Sequence, residues 1–169
     1  MVIPIEEFPK IREEKLKGKT VVATCGFFDP LHPGHASCIV ESKKYGDVLV
    51  VILNGDQQCA TKKGKAFMPA LDRARVIDYL KGVDYVLLYD HPTEYSSLGA
   101  IKIVKPEILT KGGDRDSKDS KDKNSPLYKE MKFIESYGGR VEVNIGDPKM
   151  WSSSNYLQEW VDFVNSKEK

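Results

Sequence analysis

Six consecutive apolar residues, Val48-Leu-Val-Val-Ile-Leu53, constrain this chain more than any other stretch. A short run of this kind, rich in valine and without polar alternation, suits a strand covered on both faces at the centre of a parallel sheet. Further β-rich runs surround it: Thr20 to Cys25, Val83 to Tyr89, Glu107 to Thr110, and Val141 to Ile145. Helical signals fall between them, at 33–45, 71–81, 94–104, after Ser125-Pro126, and from about Ser153 to Val164. Pro33 suits a first helical turn and Gly46 a stop. Leu71, Ala74, Ile77 and Leu80 recur near helical spacing. Strands alternating with helices predict an α/β fold: five strands in a mostly parallel sheet, helices on both faces, right-handed crossovers. Ligands in such sheets bind beyond the C-terminal strand ends, near the topological switch point. The informative loops are therefore 26–35, 54–66, 90–93, 111–124 and 146–154.

At 169 residues the chain fits one domain, expected at 20–169 behind a polar lead-in at 1–19. Lys plus Arg number 26 and Asp plus Glu 25. That balance argues against a dedicated nucleic-acid partner. It leaves room for a local basic pocket that takes a phosphorylated small molecule. Cys25, Cys38 and Cys59 show no paired spacing, which fits a reducing compartment. With no apolar leader and no apolar run of about 20 residues, the expectation is a cytoplasmic protein without a membrane span. Residues 114–124, DRDSKDSKDKN, carry mixed charge and no apolar side chain. They read as a mobile solvated loop, or as a lid that orders over substrate.

The segment with the most chemistry is Gly26-Phe27-Phe28-Asp29-Pro30-Leu31-His32-Pro33-Gly34-His35. It joins a buried strand to a helix, where backbone N–H groups and the helix dipole favour phosphate. Gly26 lets the main chain approach a ligand, and Gly34 leaves space on the first turn. His32 and His35 are three apart, so both imidazoles can lie on one side of that turn. There they can donate hydrogen bonds to phosphoryl oxygens and stabilise charge in a transition state. A metal site is the competing use of two histidines, but no Cys or carboxylate partners stand at ligand spacing. Helix capping by His32 is the other.

GFFDPLHPGH resembles the (G/T)xFDxxHxGH signature of the HxGH nucleotidyltransferase superfamily, which includes glycerol-3-phosphate cytidylyltransferase, phosphopantetheine adenylyltransferase and heptose-1-phosphate adenylyltransferase. The resemblance spans roughly residues 20–165. Asn54-Gly55-Asp56 looks like the family's turn after the second strand, and Pro69-Ala-Leu-Asp-Arg73 like its helix opening. Lys111-Gly112-Gly113-Asp114 resembles the KGGD of the heptose enzymes, and Ser152-Ser153-Ser154-Asn155 their Ser-Thr-Thr-Asn.

The resemblance implies a Rossmann-like nucleotidyltransferase fold and the transfer of a nucleoside monophosphate from ATP or CTP to a phosphorylated sugar or polyol. Pyrophosphate is the leaving group. His32 and His35 would contact the α- and β-phosphates. Gly26, Phe27, Phe28 and Gly34 would line the nucleotide. Lys111, Gly112, Gly113 and Asp114 would hold the ribose and base edge, and Ser152, Ser153 and Ser154 the β- and γ-phosphates. Each of these also has a plainer reading: serines cap helices, and Asp114 opens the charged loop. Lys149 is a candidate for positive charge on the leaving pyrophosphate. Asp29, Lys62, Lys63, Lys65 and Arg73 are assigned to the acceptor phosphate, although lysines are common on surfaces and Arg73 can equally pin its helix to the loop. Mg²⁺ is expected with the triphosphate, held mainly by phosphates and water, with no dedicated protein cage for the metal. The family also implies a homodimer.

KGGD and the serine run favour adenylyl transfer to a heptose-1-phosphate-like sugar. Cytidylyl transfer to glycerol phosphate or another polyol phosphate is the alternative within the class. A nucleotide-sensing module without turnover is the alternative outside it. Departures from the heptose and cytidylyl patterns fall at Lys63 to Pro69 and Asp147 to Trp151, which face substrate in the family.

Overall fold

The computed structural model describes residues 1–94, 96–113, 121–148 and 152–167. Its centre is one parallel sheet. The strands are β1 (Val2–Pro4), β2 (Val21–Gly26), β3 (Val48–Asn54), β4 (Tyr85–Tyr89), β5 (Ile108–Gly112) and β6 (Arg140–Ile145). They lie in the order β1-β4-β3-β2-β5-β6, and every neighbouring pair is parallel. All seven residues of β3 are buried, as its unbroken apolar run requires.

The helices are α1 (Phe8–Lys15), α2 (Pro33–Ser42), α3 (Asp56–Lys63), α4 (Ala70–Asp78), α5 (Leu98–Val104), α6 (Pro126–Glu135) and α7 (Ser153–Lys167). Residues of α1, α5 and α6, among them Phe8, Ile101 and Ile134, pack with Val21, Ala23, Val50 and Leu109 on one sheet face. Ile39 of α2 and Ala74 and Ile77 of α4 pack with Val22, Leu49, Val51 and Val86 on the other. Strand residues therefore alternate between two cores, the period of two that a doubly covered sheet imposes.

The sheet has six strands where the sequence predicts five. The sixth, β1, comes from the expected lead-in. It adds to the free edge of β4, with Val2, Ile3 and Pro4 opposite Val86, Leu87 and Leu88. Ile5 and Phe8 behind it are buried in the first core, so residues 1–16 belong to the domain. Pro9 sits in the first turn of α1, where a missing N–H costs nothing. A second difference is α3, which forms inside the expected 54–66 loop. The carboxylate of Asp90 holds its start by accepting the N–H groups of Gln57 at 3.2 Å and Gln58 at 3.1 Å.

Chain order along the sheet turns back at β2. From it, β3, β4 and β1 lie to one side and β5 and β6 to the other. That arrangement opens a crevice above the C-terminal ends of β2 and β5.

Candidate active site

The crevice is a cleft of about 660 Å³. Its floor is the end of β2 and the loop that follows. Phe28 there has φ +48° with its ring buried, and a Cβ on Gly26 would stand 3.1 Å from that ring. Gly26 thus makes room for Phe28, whose ring meets His35 edge-on at a centroid distance of 5.2 Å. A non-glycine residue at positive φ is the kind of backbone strain that gathers at functional loops.

The two histidines come together as their spacing predicts. Their rings stack with centroids 3.7 Å apart and an interplanar angle of 27°. A Cβ on Gly34 would lie 3.2 Å from the His32 ring, so glycine leaves that stack its room. His32 occupies the N-cap position of α2, but its side chain makes no capping bond. Both imidazoles line the cleft at the positive end of α2.

Lys62 and Lys63 reach the cleft from the end of α3, flanking Phe27 with ammonium groups 4.7 and 5.6 Å from its ring centre. Lys63 also donates to the Asp29 carbonyl at 3.0 Å. Opposite stands the first turn of α7. Ser152 acts as its cap: Asn155 N–H donates to the Ser152 hydroxyl at 3.3 Å, and the Asn155 side-chain carbonyl accepts from Ser152 N–H at 2.9 Å. Ser153 donates to the Pro30 carbonyl at 2.9 Å and ties α7 to the histidine loop. Ser154 is exposed and lines the cleft. Gly112 and Gly113 form the remaining wall.

The acceptor roles expected of Asp29 and Arg73 do not fit their placement. Asp29 is 1% exposed and accepts the N–H groups of Phe67 and Met68 at 2.9 Å each. Arg73 is also buried. Its guanidinium donates to the carbonyls of Met68, Phe27 and Asn54 and to the Asp56 carboxylate at 2.6 Å. These two residues hold the walls of the cleft in place, and their charged groups are taken up by backbone and, for Arg73, by the Asp56 carboxylate. Lys111 lines the cleft, and its ammonium is paired, 2.7 Å from Glu130 on α6 and 2.9 Å from the Cys25 sulfur. Those two partners hold its pKa above the ordinary lysine value although burial opposes them. Lys65 stands apart from the cleft and lines a shallow hollow beside it with Phe67, Leu157 and Val161. Asp114 and Lys149 lie outside the described residues, as does most of the expected mobile loop.

The structure adds residues that the sequence reading passed over. Tyr156 lines the cleft with its ring 6.0 Å from that of His32. Its position one helical turn after Ser152 was the available signal. Asp147, Cys25 and Cys38 also line the cleft. Burial pushes the Cys38 thiol pKa up, so it stays protonated near neutral pH. Glu130, the partner of Lys111, had no signal, because only the packing of α6 against the sheet brings it there.

Residues 23–157 match the cytidylyltransferase-like family. The chain is 39% identical over 152 residues to the bifunctional protein HldE of a Nitratiruptor species, covering 84% of this chain and 32% of that protein. It is 38% identical over 135 residues to the protein of the same name from Geobacter metallireducens, covering 79% and 25%. It thus spans about a third of these relatives or less. Among solved structures, the lipopolysaccharide core biosynthesis protein from Thermoplasma volcanium superimposes with a TM-score of 0.59 at 28% identity, over 78% of this chain and 99% of that one. Pantoate-beta-alanine ligase from Francisella tularensis, at 16% identity and a TM-score of 0.63, shares the fold over 93% of this chain and 72% of its own.

Proposed function

The chain belongs to the cytidylyltransferase-like family, and from that premise we propose that it transfers a nucleoside monophosphate from a nucleoside triphosphate to a phosphorylated sugar. Adenylyl transfer to a heptose-1-phosphate-like sugar is the leading case. The observation that carries this reading is the stacked His32–His35 pair at the N-terminal end of α2, inside a cleft flanked by Lys62 and Lys63.

An oxygen of the acceptor phosphate attacks the α-phosphorus. The bond from that phosphorus to the oxygen bridging to the β-phosphate breaks, and pyrophosphate leaves with the electron pair. No covalent link to the protein forms. The protein positions the two phosphates and stabilises the charge that builds on them. His32 and His35 donate to the α- and β-phosphoryl oxygens, and Ser154 adds a donor from the facing helix. Lys62 and Lys63 neutralise the acceptor phosphate, with Lys65 at the outer edge. Gly112, Gly113 and Asp114 receive the ribose and base, and Lys149 meets the departing pyrophosphate. Tyr156 closes the side of the cleft next to His32.

Mg²⁺ fits this site as an ion brought by the triphosphate. In this reading phosphate oxygens and water would supply most of its ligands. When bound, it offsets the charge of the triphosphate. Asp147 is the cleft carboxylate suited to ordering its waters. The resemblance also implies a homodimer. Among the described residues no helix is long and apolar enough to cross a membrane, and the substrates of this reading are those of cytoplasmic sugar metabolism.

The likeness of Lys111-Gly112-Gly113-Asp114 to the KGGD of the heptose enzymes supports ATP over CTP. Pyrophosphate release with ATP and CTP in parallel, with Mg²⁺ and a panel of sugar and polyol phosphates, tests the reading. The expected result is turnover with ATP and a sugar 1-phosphate. Turnover with CTP and a polyol phosphate alone would move the assignment to cytidylyl transfer. Nucleotide binding without turnover on any acceptor would favour a sensing role.

A further inference from the structure

We propose that Asp147 reads the base of the bound nucleotide, its carboxylate accepting a hydrogen bond from an exocyclic amino group such as adenine and cytosine carry. The proposal rests on the nucleotide-binding reading above and holds for ATP and CTP alike. Asp147 opens the segment that departs from the heptose and cytidylyl patterns, and it lines the cleft. Among the described residues Asp29 is the other carboxylate there, and it is buried, taken up by the N–H groups of Phe67 and Met68. Asp147 is exposed. His32, His35, Lys62 and Lys63 suit the cleft to anions. A carboxylate in the same cleft repels phosphate, so the ligand group that meets it has to be a hydrogen-bond donor.

Strand order selects which part of a nucleotide lies beside it. Along the rim, Lys62 and Lys63 come from α3 after β3, the histidines follow β2, Gly112 ends β5 and Asp147 follows β6. Those four strands are neighbours in that order. Adjacent strands lie about 4.8 Å apart, so β6 stands roughly 10 Å from β2. A nucleotide with its α-phosphate at the histidines and its ribose against Gly112 and Gly113 runs away from the lysines and brings the edge of its base to β6. The charge of Asp147 also suits the waters of Mg²⁺, but the triphosphate that carries the ion lies two strands away.

The backbone holds Asp147 at this point. Thr110 pairs with Glu142 and Gly112 with Ile145, so β6 carries one extra residue, a bulge of the kind that re-aims a side chain beside a site. Asn144 has φ +59° and Gly146 φ +84°. A Cβ on Gly146 would stand 2.5 Å from the Cys38 backbone nitrogen, so only glycine lets the strand end lie this close on α2. There the Asp147 N–H donates to the Ser37 hydroxyl at 2.7 Å, on the helix that carries both histidines at its start. The tie is made by the backbone, and it leaves the carboxylate to the cleft. A base with oxygen in place of the amino group, such as uracil or hypoxanthine, would set two acceptors face to face.

Equilibrium titration of the full chain with Mg²⁺ present tests this without an acceptor or turnover. The probes are ATP and CTP, each beside a counterpart that lacks only the amino group: purine riboside triphosphate and 2-pyrimidinone riboside triphosphate. For whichever of ATP and CTP binds, the wild type is expected to hold it about tenfold more tightly than its counterpart, as a hydrogen bond to a charged group requires. Asp147→Ala, at an exposed position, should bring the two to the same affinity by weakening the amino-bearing nucleotide alone. Equal binding of the pair by the wild type would overturn the proposal, as would a preference that survives Asp147→Ala. A loss that falls equally on both members of the pair would also overturn it, since that is the mark of a role at the phosphates or through Mg²⁺. Binding of none of the four to the wild type would overturn the nucleotide reading itself, and this proposal with it.

Discussion

Arg73 shows how one side chain can look like a ligand contact and serve the frame instead. Its position in Pro69-Ala-Leu-Asp-Arg73 gave it a place in the family pattern, but its donors are directed inward. Arg73→Met leaves three carbonyls short of a donor in a buried site and removes the partner of the half-exposed Asp56 carboxylate. The expected cost is roughly 3–5 kcal/mol, read as a lower urea midpoint. Lys65→Ala, at the exposed edge, should stay within about 0.5 kcal/mol of wild type in the same assay. The histidine pair was legible because helical geometry alone puts residues three apart on one side of a turn. The pairing of Lys111 was not, since it depends on Glu130 arriving from α6.

At the scale of elements, long apolar runs were readable and short edge pieces were not. β3 declares itself in six residues. β1 has three residues, ends in proline, and exists because β4 offers it an edge. Its anchoring can be measured. Phe8 is fully buried and meets the Tyr85 ring edge-on at 5.7 Å. Phe8→Ala should cost about 3–5 kcal/mol in urea unfolding, a loss that a detached lead-in would not show. The end of α6 is tied down by Tyr137, whose phenol donates to the Pro106 carbonyl at 2.9 Å. Burial first, and then the Glu107 carboxylate, push its pKa up to about 12. An ordinary tyrosine titrates near 10. The folded state therefore holds this proton more tightly, and the contribution is complete below about pH 10 and lost as pH rises towards 12. Cys38, Cys59 and Tyr89, also raised by burial, act in the same direction. Urea midpoints measured from about pH 8 to 12 should fall for the wild type and fall less steeply for Tyr137→Phe.

For the whole molecule, the reversal of strand order at β2 decides where chemistry can occur; the alternation of strands and helices pointed to the loops after the strands, but which strand the order turns at came only with the sheet itself. The sheet brings Gly26 and Gly112 to one rim, and α2, α3 and α7 add histidines, lysines and serines around it. The central claim is that this cleft lowers a barrier as well as binding a nucleotide. Its most direct test is His35→Ala, with kcat for pyrophosphate release and nucleotide affinity measured on the same preparation. Loss of a transition-state donor should lower kcat by about 100-fold or more and leave the Kd for the nucleotide within a few-fold. Unchanged turnover, or a loss of affinity that accounts for the whole fall in rate, would contradict it.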